Sequence, residues 1–94
     1  MNVFQSPLFE RRVRRFHSQE KSALDGAIRK VMENPAAGEA TKGDLQNVLV
    51  YKFKIAHQQY LLAYRLAGDD LELIMIGPHE NYYRDLKQYL QRRP

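Results

Sequence analysis

The change of hydrophobic period at residue 48 is the feature that most constrains the fold of this chain. Three segments, residues 48–55, 60–66 and 71–76, alternate between apolar and other side chains, as half-buried β-strands do. The two breaks between them are short enough for hairpins, and Gly68 can supply the positive φ of a tight turn. Gly77-Pro78 ends the last segment. The sequence therefore predicts an antiparallel meander of three strands.

Two helices are predicted before the meander. Ser6-Pro7 is typical of a helix start, with Ser6 as the N-cap and Pro7 at the first helical position. An apolar stripe with helical spacing follows, formed by Phe9, Val13 and Phe16. A second helix fits residues 19–33 and ends before Pro35, because the residue before a proline is disfavoured in the α region.

The remaining segments complete an α+β domain over residues 1–94. Residues 1–5 are predicted to form a short strand, residues 34–47 a loop and residues 79–91 a third helix. The order is β-α-α-β-β-β-α, with a helical hairpin packed on one face of a small, mostly antiparallel sheet. Helices so placed cover one face, so we expect the opposite face to be polar or to bind a partner.

Strand alternation predicts which residues share each face. Two-residue turns at His57-Gln58 and Gly68-Asp69 would pair apolar residues throughout: Ile55 with Tyr60, Phe53 with Leu62, Tyr51 with Tyr64, Leu66 with Leu71, Tyr64 with Leu73, and Leu62 with Met75. These residues form the predicted core face, which makes the tyrosines among them structural. A slip of one residue would exchange the faces, and the apolar pairing argues against it.

The opposite face is predicted to carry Lys52, Lys54 and Arg65, with His79 and the Tyr82-Tyr83 pair at its end. Lysine and arginine can hold a phosphate, histidine can exchange a proton near neutral pH, and tyrosine can stack on an RNA base. The alternative is that the cations only solvate a half-buried sheet. Three apolar residues expected among them favour a partner surface: Leu61, Ile74 and Ile76.

The charge balance is compatible with several partners. The net charge is +4, and the first helix carries Arg11, Arg12, Arg14 and Arg15, which either contact RNA phosphates or form a solvated face. The chain has no cysteine, no apolar run long enough to span a membrane and no evident signal peptide, so we expect a cytoplasmic protein without a membrane partner. The three histidines lack metal-ligand spacing, and no metal site is predicted.

The order and spacing of several short motifs resemble the RelE/ParE superfamily of toxins from bacterial type II toxin–antitoxin systems. The motifs are Lys42-Gly43-Asp44-Leu45, Tyr51-Lys52-Phe53-Lys54-Ile55, Gln59-Tyr60-Leu61-Leu62-Ala63-Tyr64-Arg65, Gly77-Pro78-His79-Glu80-Asn81 and Tyr82-Tyr83-Arg84-Asp85-Leu86. The similarity spans essentially the whole chain and implies a RelE-like fold.

For RelE-type members, the resemblance implies a metal-independent, ribosome-dependent mRNA endonuclease that needs no cofactor. The message's own 2′-hydroxyl attacks the adjacent phosphate. Lys52 and Lys54 match the catalytic lysine pair of RelE. Leu61 stands where RelE has an arginine, and Arg65 on the same predicted face is a candidate replacement. His79, with Tyr83 nearby, resembles the functional histidine of YafQ-like and YoeB-like relatives. RNA-binding residues are expected to be Arg11, Arg12, Arg14, Arg15, Tyr82 and Arg84.

Two alternatives to the nuclease remain open. ParE-type members share the fold, inhibit DNA gyrase without a nuclease site and also include proteins with a histidine after the last strand. A third possibility is an inactive member that retains only antitoxin binding. In every case the resemblance implies a cognate antitoxin whose acidic or amphipathic segment wraps the toxin, while the ribosome and mRNA, or DNA gyrase, would be the target.

Overall fold

A five-stranded sheet with helices on both faces forms the protein, in a computed structural model that describes residues 1–41, 45 and 47–92. In chain order the elements are β1 (Val3–Gln5), α1 (Pro7–Val13), α2 (Ser18–Glu33), a 3-10 helix (Pro35–Ala37), β2 (Glu39–Ala40), β3 (Val48–Ile55), β4 (Gln58–Ala67), β5 (Asp70–Pro78) and α3 (Tyr82–Arg92). Within the described residues, no helix combines the length and apolar character needed to cross a membrane.

The strands lie in the order β1-β5-β4-β3-β2, with β1 parallel to β5 and the other neighbours antiparallel. This arrangement confirms the predicted α+β fold with its mostly antiparallel sheet. The region predicted as a loop, residues 34–47, also contains the 3-10 helix and β2. Both are too short to leave a periodic pattern in the sequence. Residues 42–44 of the first family motif lie outside the described part of the chain.

Ser6 starts α1 as predicted and also ties it to the sheet. The Phe9 amide donates to Ser6 Oγ over 3.0 Å, and the same hydroxyl donates to the Ile74 carbonyl over 2.5 Å. The helix ends at Val13, earlier than the apolar stripe predicts. Phe16 nevertheless packs on the core, with its ring edge-on to Tyr60 at a centroid distance of 6.0 Å.

Each face of the sheet has its own hydrophobic core. The α1–α2 hairpin covers one face, where Phe9, Leu24 and Val31 pack against strand residues such as Leu62 and Tyr64. Helix α3 covers part of the other face, where its buried residues Tyr82 and Leu86 pack with others including Leu61, Ala63, Ile74 and Met75.

The expectation of one uncovered face with exposed Leu61, Ile74 and Ile76 is therefore wrong. All three side chains are fully buried. After β5 the chain turns and α3 folds back over the sheet, so its apolar side covers Leu61 and Ile74. Ile76 belongs to the other core, on the side of the α1–α2 hairpin.

The first hairpin turns one residue earlier than predicted. Ile55 pairs with Gln58, so the turn residues are Ala56 and His57, and Ala56 adopts a φ of 56°. Phe53 then lies opposite Tyr60 instead of Leu62, a shift of two residues. Because side chains alternate with a period of two, this shift keeps every residue on its predicted face.

The second hairpin follows the prediction up to a β-bulge. The turn at Gly68-Asp69 is confirmed, as are the pairs Leu66–Leu71 and Tyr64–Leu73. The register then shifts, and Leu62 lies opposite Ile76 instead of the predicted Met75. A bulge adds one residue to one strand and exchanges the faces beyond it. Ile76 consequently points toward the α1–α2 hairpin and Met75 toward α3.

Candidate nucleic-acid interface

Lys52 and Lys54 lie on the part of the sheet face that α3 leaves open. Both side chains are exposed, and they share one side of β3, opposite Leu61 and Gln59 of β4. The Lys52 ammonium lies 3.6 Å from the carboxylate of Glu39 at the sheet edge, a solvent-exposed ion pair. Lys54 forms no ion pair with the described residues. The two lysines, about 7 Å apart along the strand, therefore form a small cationic surface open to solvent.

His79 lies at the same end of the sheet as Lys54. Its amide donates to the Gln59 carbonyl over 3.2 Å, immediately beyond the last residue of β5, and Lys54 pairs with the same Gln59 from the other side. The chain then turns at Asn81, whose φ is 57°, before α3 begins. Lys54, Gln59 and His79 thus follow one another across three neighbouring strands, with about 10 Å between the backbones of the outer two.

Arg65 shares the face of Lys52, as predicted, but lies away from it. Arg65 pairs with Val48, whereas Lys52 pairs with Leu61, so the two positions lie four residues apart along β4, a distance of about 14 Å. The guanidinium donates to Glu72 Oε1 over 2.7 Å, and both side chains are partly buried. The structure therefore gives Arg65 an acidic partner within the sheet and does not bring it to the lysine pair.

The two adjacent tyrosines differ in accessibility. Tyr82 is 1% exposed, and its hydroxyl donates to the Met75 carbonyl over 2.6 Å. Burial raises the pKa of this phenol. This effect outweighs the backbone of Ala63 and the charge of Arg12, which both lower the pKa. The prediction that Tyr82 contacts RNA conflicts with this burial, because the ring has no free face. Tyr83 is 41% exposed, with its ring edge-on to Tyr82 at 5.8 Å, so it keeps a surface for stacking.

The arginines of α1 and the segment after it also fall into two groups. Arg11, Arg14 and Arg15 are exposed, and Arg14 lies 3.9 Å from Glu10 in a surface pair. Arg12 is half-buried, and its Nη1 donates to the Ile76 carbonyl over 3.1 Å. The exposed set retains the character expected of phosphate-contacting residues. Arg84 of α3 is likewise exposed, 3.4 Å from the neighbouring Asp85.

The special position of Arg12 was missed in the sequence, although a signal exists. Arg12 stands three residues after Phe9 and four before Phe16, and residues three or four apart lie on the same side of a helix. An arginine within an apolar stripe must find buried polar partners, and here it finds a strand carbonyl and the carboxylate of Asp85, 3.9 Å away.

A cleft of about 370 Å³ lies between the C-terminal end of α1, with the residues that follow it, and the start of α3. Aromatic and charged side chains of both signs line it, among them Arg15, Phe16, Tyr60, Glu80 and Asp85. In the part of the chain that the structure describes, no cluster of three or more histidine, aspartate or glutamate side chains is arranged to hold a metal ion.

Comparison with protein families gives one match that covers most of the chain. The sequence model for the ParE-like toxin of type II bacterial toxin–antitoxin systems matches residues 3–87. The chain belongs to this family. A search of curated protein sequences finds no match.

Solved structures of related toxins share the fold of this ParE-like toxin. The YoeB/ParE toxin from Agrobacterium tumefaciens is 22% identical with a TM-score of 0.68, and the match covers 84% of this chain and 99% of that one. The isolated RelE toxin of E. coli is 18% identical with a TM-score of 0.64, covering 94% and 97%. The intact E. coli RelBE toxin–antitoxin complex gives 19% and 0.64, covering 84% and 96%. The predicted RelE/ParE superfamily and its fold are confirmed.

Proposed function

We propose that this ParE-like toxin is a metal-independent endoribonuclease that cleaves mRNA on the ribosome and thereby stops translation. The observation that carries the proposal is the exposed pair Lys52 and Lys54. The pair lies at the end of the sheet where His79 follows the last residue of β5. An uncovered cationic surface beside a histidine provides groups suited to phosphodiester chemistry. Action on messages at the ribosome would place the toxin in the bacterial cytoplasm.

The proposed reaction requires little beyond these side chains. The 2′-oxygen of the message attacks the adjacent phosphorus, the bond from phosphorus to the 5′-oxygen breaks, and a cyclic phosphate and a 5′-hydroxyl form. Lys52 and Lys54 stabilise the negative charge that grows on the phosphate oxygens. His79 moves a proton, either from the attacking hydroxyl or to the leaving oxygen. Tyr83, exposed in the first turn of α3, would stack on a base and orient it.

The remaining predicted residues receive different roles. Arg65, held by Glu72 at a distance from the lysines, would support the sheet instead of stabilising the transition state. The exposed cations Arg11, Arg14, Arg15 and Arg84 would contact phosphates of ribosomal RNA, which supply affinity without sequence preference.

A cognate antitoxin is the second proposed partner. The E. coli RelBE structure is a toxin–antitoxin complex of a protein with the same fold. This chain offers a net positive charge of +4 together with exposed apolar side chains on β1, Val3 and Phe4. An acidic, amphipathic antitoxin segment would complement both features.

Inhibition of DNA gyrase is the competing candidate, and one observation favours it. The family that matches the chain is described as ParE-like. A gyrase inhibitor would act by binding alone, and its lysine pair would contribute charge but no chemistry.

Purified ribosomes programmed with a defined message separate the two candidates. We expect the wild-type toxin to cleave the message only when ribosomes are present, and Lys54→Ala to reduce the rate about 10²-fold. Lys21→Ala, which removes an exposed lysine from α2, is the matched control and should cleave normally. Circular dichroism and the thermal midpoint check that each variant is folded. Intact messages together with inhibition of gyrase-driven supercoiling would instead establish the ParE-like candidate.

A further inference from the structure

We infer that Arg12 is a positioning residue that fixes both ends of the segment 77–84, which runs from the end of β5 into the first turn of α3 and contains His79 and Tyr83. The inference rests on the proposed function, because it assigns Arg12 a role in cleavage exerted through His79. Of the four arginines between residues 11 and 15, Arg12 is half-buried and the other three are exposed.

The two contacts of the Arg12 guanidinium bracket this segment. Nη1 donates to the carbonyl of Ile76, the residue immediately before the segment, over 3.1 Å. Nη2 lies 3.9 Å from a carboxylate oxygen of Asp85, the residue immediately after it. A planar guanidinium can serve two acceptors at once, which a lysine ammonium on a flexible stem does less well.

The edge of β5 explains why the Ile76 carbonyl needs a side-chain donor. Strand β1 pairs with β5 only as far as Leu73, and beyond that point none of the described strands lies on this edge. Ser6 Oγ serves the carbonyl of Ile74, and Arg12 serves that of Ile76. The side chains of Ser6, the N-cap of α1, and of Arg12, within α1, thus donate hydrogen bonds that a neighbouring strand would otherwise supply.

Gly77 provides the space that the guanidinium occupies. A Cβ added at Gly77 would lie 2.6 Å from Arg12 Nη1, well inside contact distance. The close approach therefore depends on a glycine at this position, immediately after the carbonyl that Arg12 binds. A side chain here would displace Arg12 without altering the arginine itself.

The part of the segment between β5 and Tyr82 has few anchors of its own. Residues 78–81 are all exposed, and the backbone hydrogen bonds here run from the His79 amide to Gln59, from the Tyr82 amide to His79 and from the Asp85 amide to Asn81. Fixing the two ends is therefore an effective way to set where His79 lies relative to Lys54. Displacements of about 1 Å at a reacting group can lower a rate by about 10²-fold.

Arg12→Lys is the informative substitution because it keeps the positive charge and removes the planar guanidinium that serves two acceptors at once. We expect kcat for message cleavage to fall about tenfold with KM unchanged, since misplacement of His79 affects the reaction and not the binding of the substrate. Arg29→Lys, the same change at an exposed position of α2, is the matched control and should leave both constants at their wild-type values. A rise in KM with kcat unchanged would show that Arg12 contacts RNA and would overturn the inference.

A double-mutant cycle tests whether Arg12 acts through His79. In a His79→Ala background, Arg12→Lys should cause no further loss, because the group that it positions is already gone. A full additional tenfold loss in that background would overturn the inference. A purely structural role that lowers the amount of folded protein would appear in both backgrounds alike.

Hydrogen exchange provides a measurement that does not depend on cleavage. We expect faster exchange at the His79 and Tyr82 amides in Arg12→Lys than in wild type, and no change in Arg29→Lys. Unchanged exchange at both amides would overturn the inference. If the wild-type toxin fails to cleave RNA, the proposed function fails, while the exchange rates still decide whether Arg12 holds the segment. Gly77→Ala should give the same exchange pattern and replaces Arg12→Lys if that variant does not fold.

Discussion

The hydroxyl of Tyr82 ties α3 to β5 next to the β-bulge. It donates to the carbonyl of Met75 over 2.6 Å, and Met75 is the β5 residue that pairs with Ala63 of β4. A side chain from α3 thus completes the hydrogen bonding where the register shifts. The same residue anchors the helix to the sheet.

Replacing this hydroxyl should weaken the fold. Tyr82→Phe leaves the ring in place but removes the donor from the buried Met75 carbonyl, and we expect the free energy of unfolding to fall by about 1–3 kcal/mol. Urea unfolding followed by circular dichroism measures the change. Tyr83→Phe removes a hydroxyl from the exposed neighbour and should leave stability unchanged; equal losses in the two variants would contradict the role of the bond from Tyr82 to Met75.

Stability should decrease at high pH, and Tyr82 should contribute to the decrease. Burial raises the pKa of this phenol above its ordinary value of 10.0, so the unfolded chain loses the proton before the folded protein does. The contribution of Tyr82 is therefore complete below pH 10.0 and is lost as the pH rises further. Urea unfolding at about pH 9 and about pH 11 should show a smaller decrease for Tyr82→Phe than for wild type. Parallel decreases would contradict this assignment.

The ion pair between Arg65 and Glu72 should affect stability more than activity. Arg65→Gln removes a partly buried pair with an N–O distance of 2.7 Å, and we expect it to cost about 1 kcal/mol. It should reduce message cleavage much less than Lys54→Ala does, because the guanidinium lies away from the lysine pair. Cleavage rates and unfolding curves of both variants test this separation. A loss of cleavage equal to that of Lys54→Ala would restore the catalytic role predicted from the sequence.

Replacing each of two glycines with alanine should change the free energy of unfolding in opposite directions. At Gly38 an added Cβ would lie 2.6–3.0 Å from atoms of the Tyr64 side chain, which is fully buried and bonded to Pro35, so we expect a loss of about 1–3 kcal/mol. At Gly26, inside α2, nothing lies within 4 Å, and Gly26→Ala should stabilise by about 0.5–1 kcal/mol. Thermal midpoints of the two variants check the signs; a shift in the same direction would contradict the packing described at one of the sites.

Local signals were sufficient for most elements of the fold. The N-cap and proline at Ser6-Pro7, the break at Asn34-Pro35 and the strand alternation each act through neighbouring residues, and the observed elements follow them closely. The position of the first turn was not predictable in this way. Both registers pair mainly apolar residues. The turn contains Ala56 at positive φ, a conformation that an alanine in the sequence does not predict.

The lysine pair was placed on the right face although the register was wrong, because a shift of two residues preserves alternation. The burial of Ile74 and Ile76 was missed for a different reason. Residues 73–76 form a continuous apolar run, which is typical of a strand covered on both faces, and the prediction treated it as alternating. Side chains outside the strands contact the bulge: Ser6 donates to the Ile74 carbonyl and Tyr82 of α3 to the Met75 carbonyl, and strand alternation reveals neither contact.

The parallel pairing of β1 with β5 determines the order in which a newly made chain can assemble. Ser6 donates to the carbonyl of Ile74, 68 positions further along the chain. Synthesis proceeds at about 5–20 residues per second, so the N-terminal strand has no docking site for several seconds, until the segment around Ile74 has emerged from the exit tunnel. Closure of the sheet thus waits until both strands are outside the ribosome.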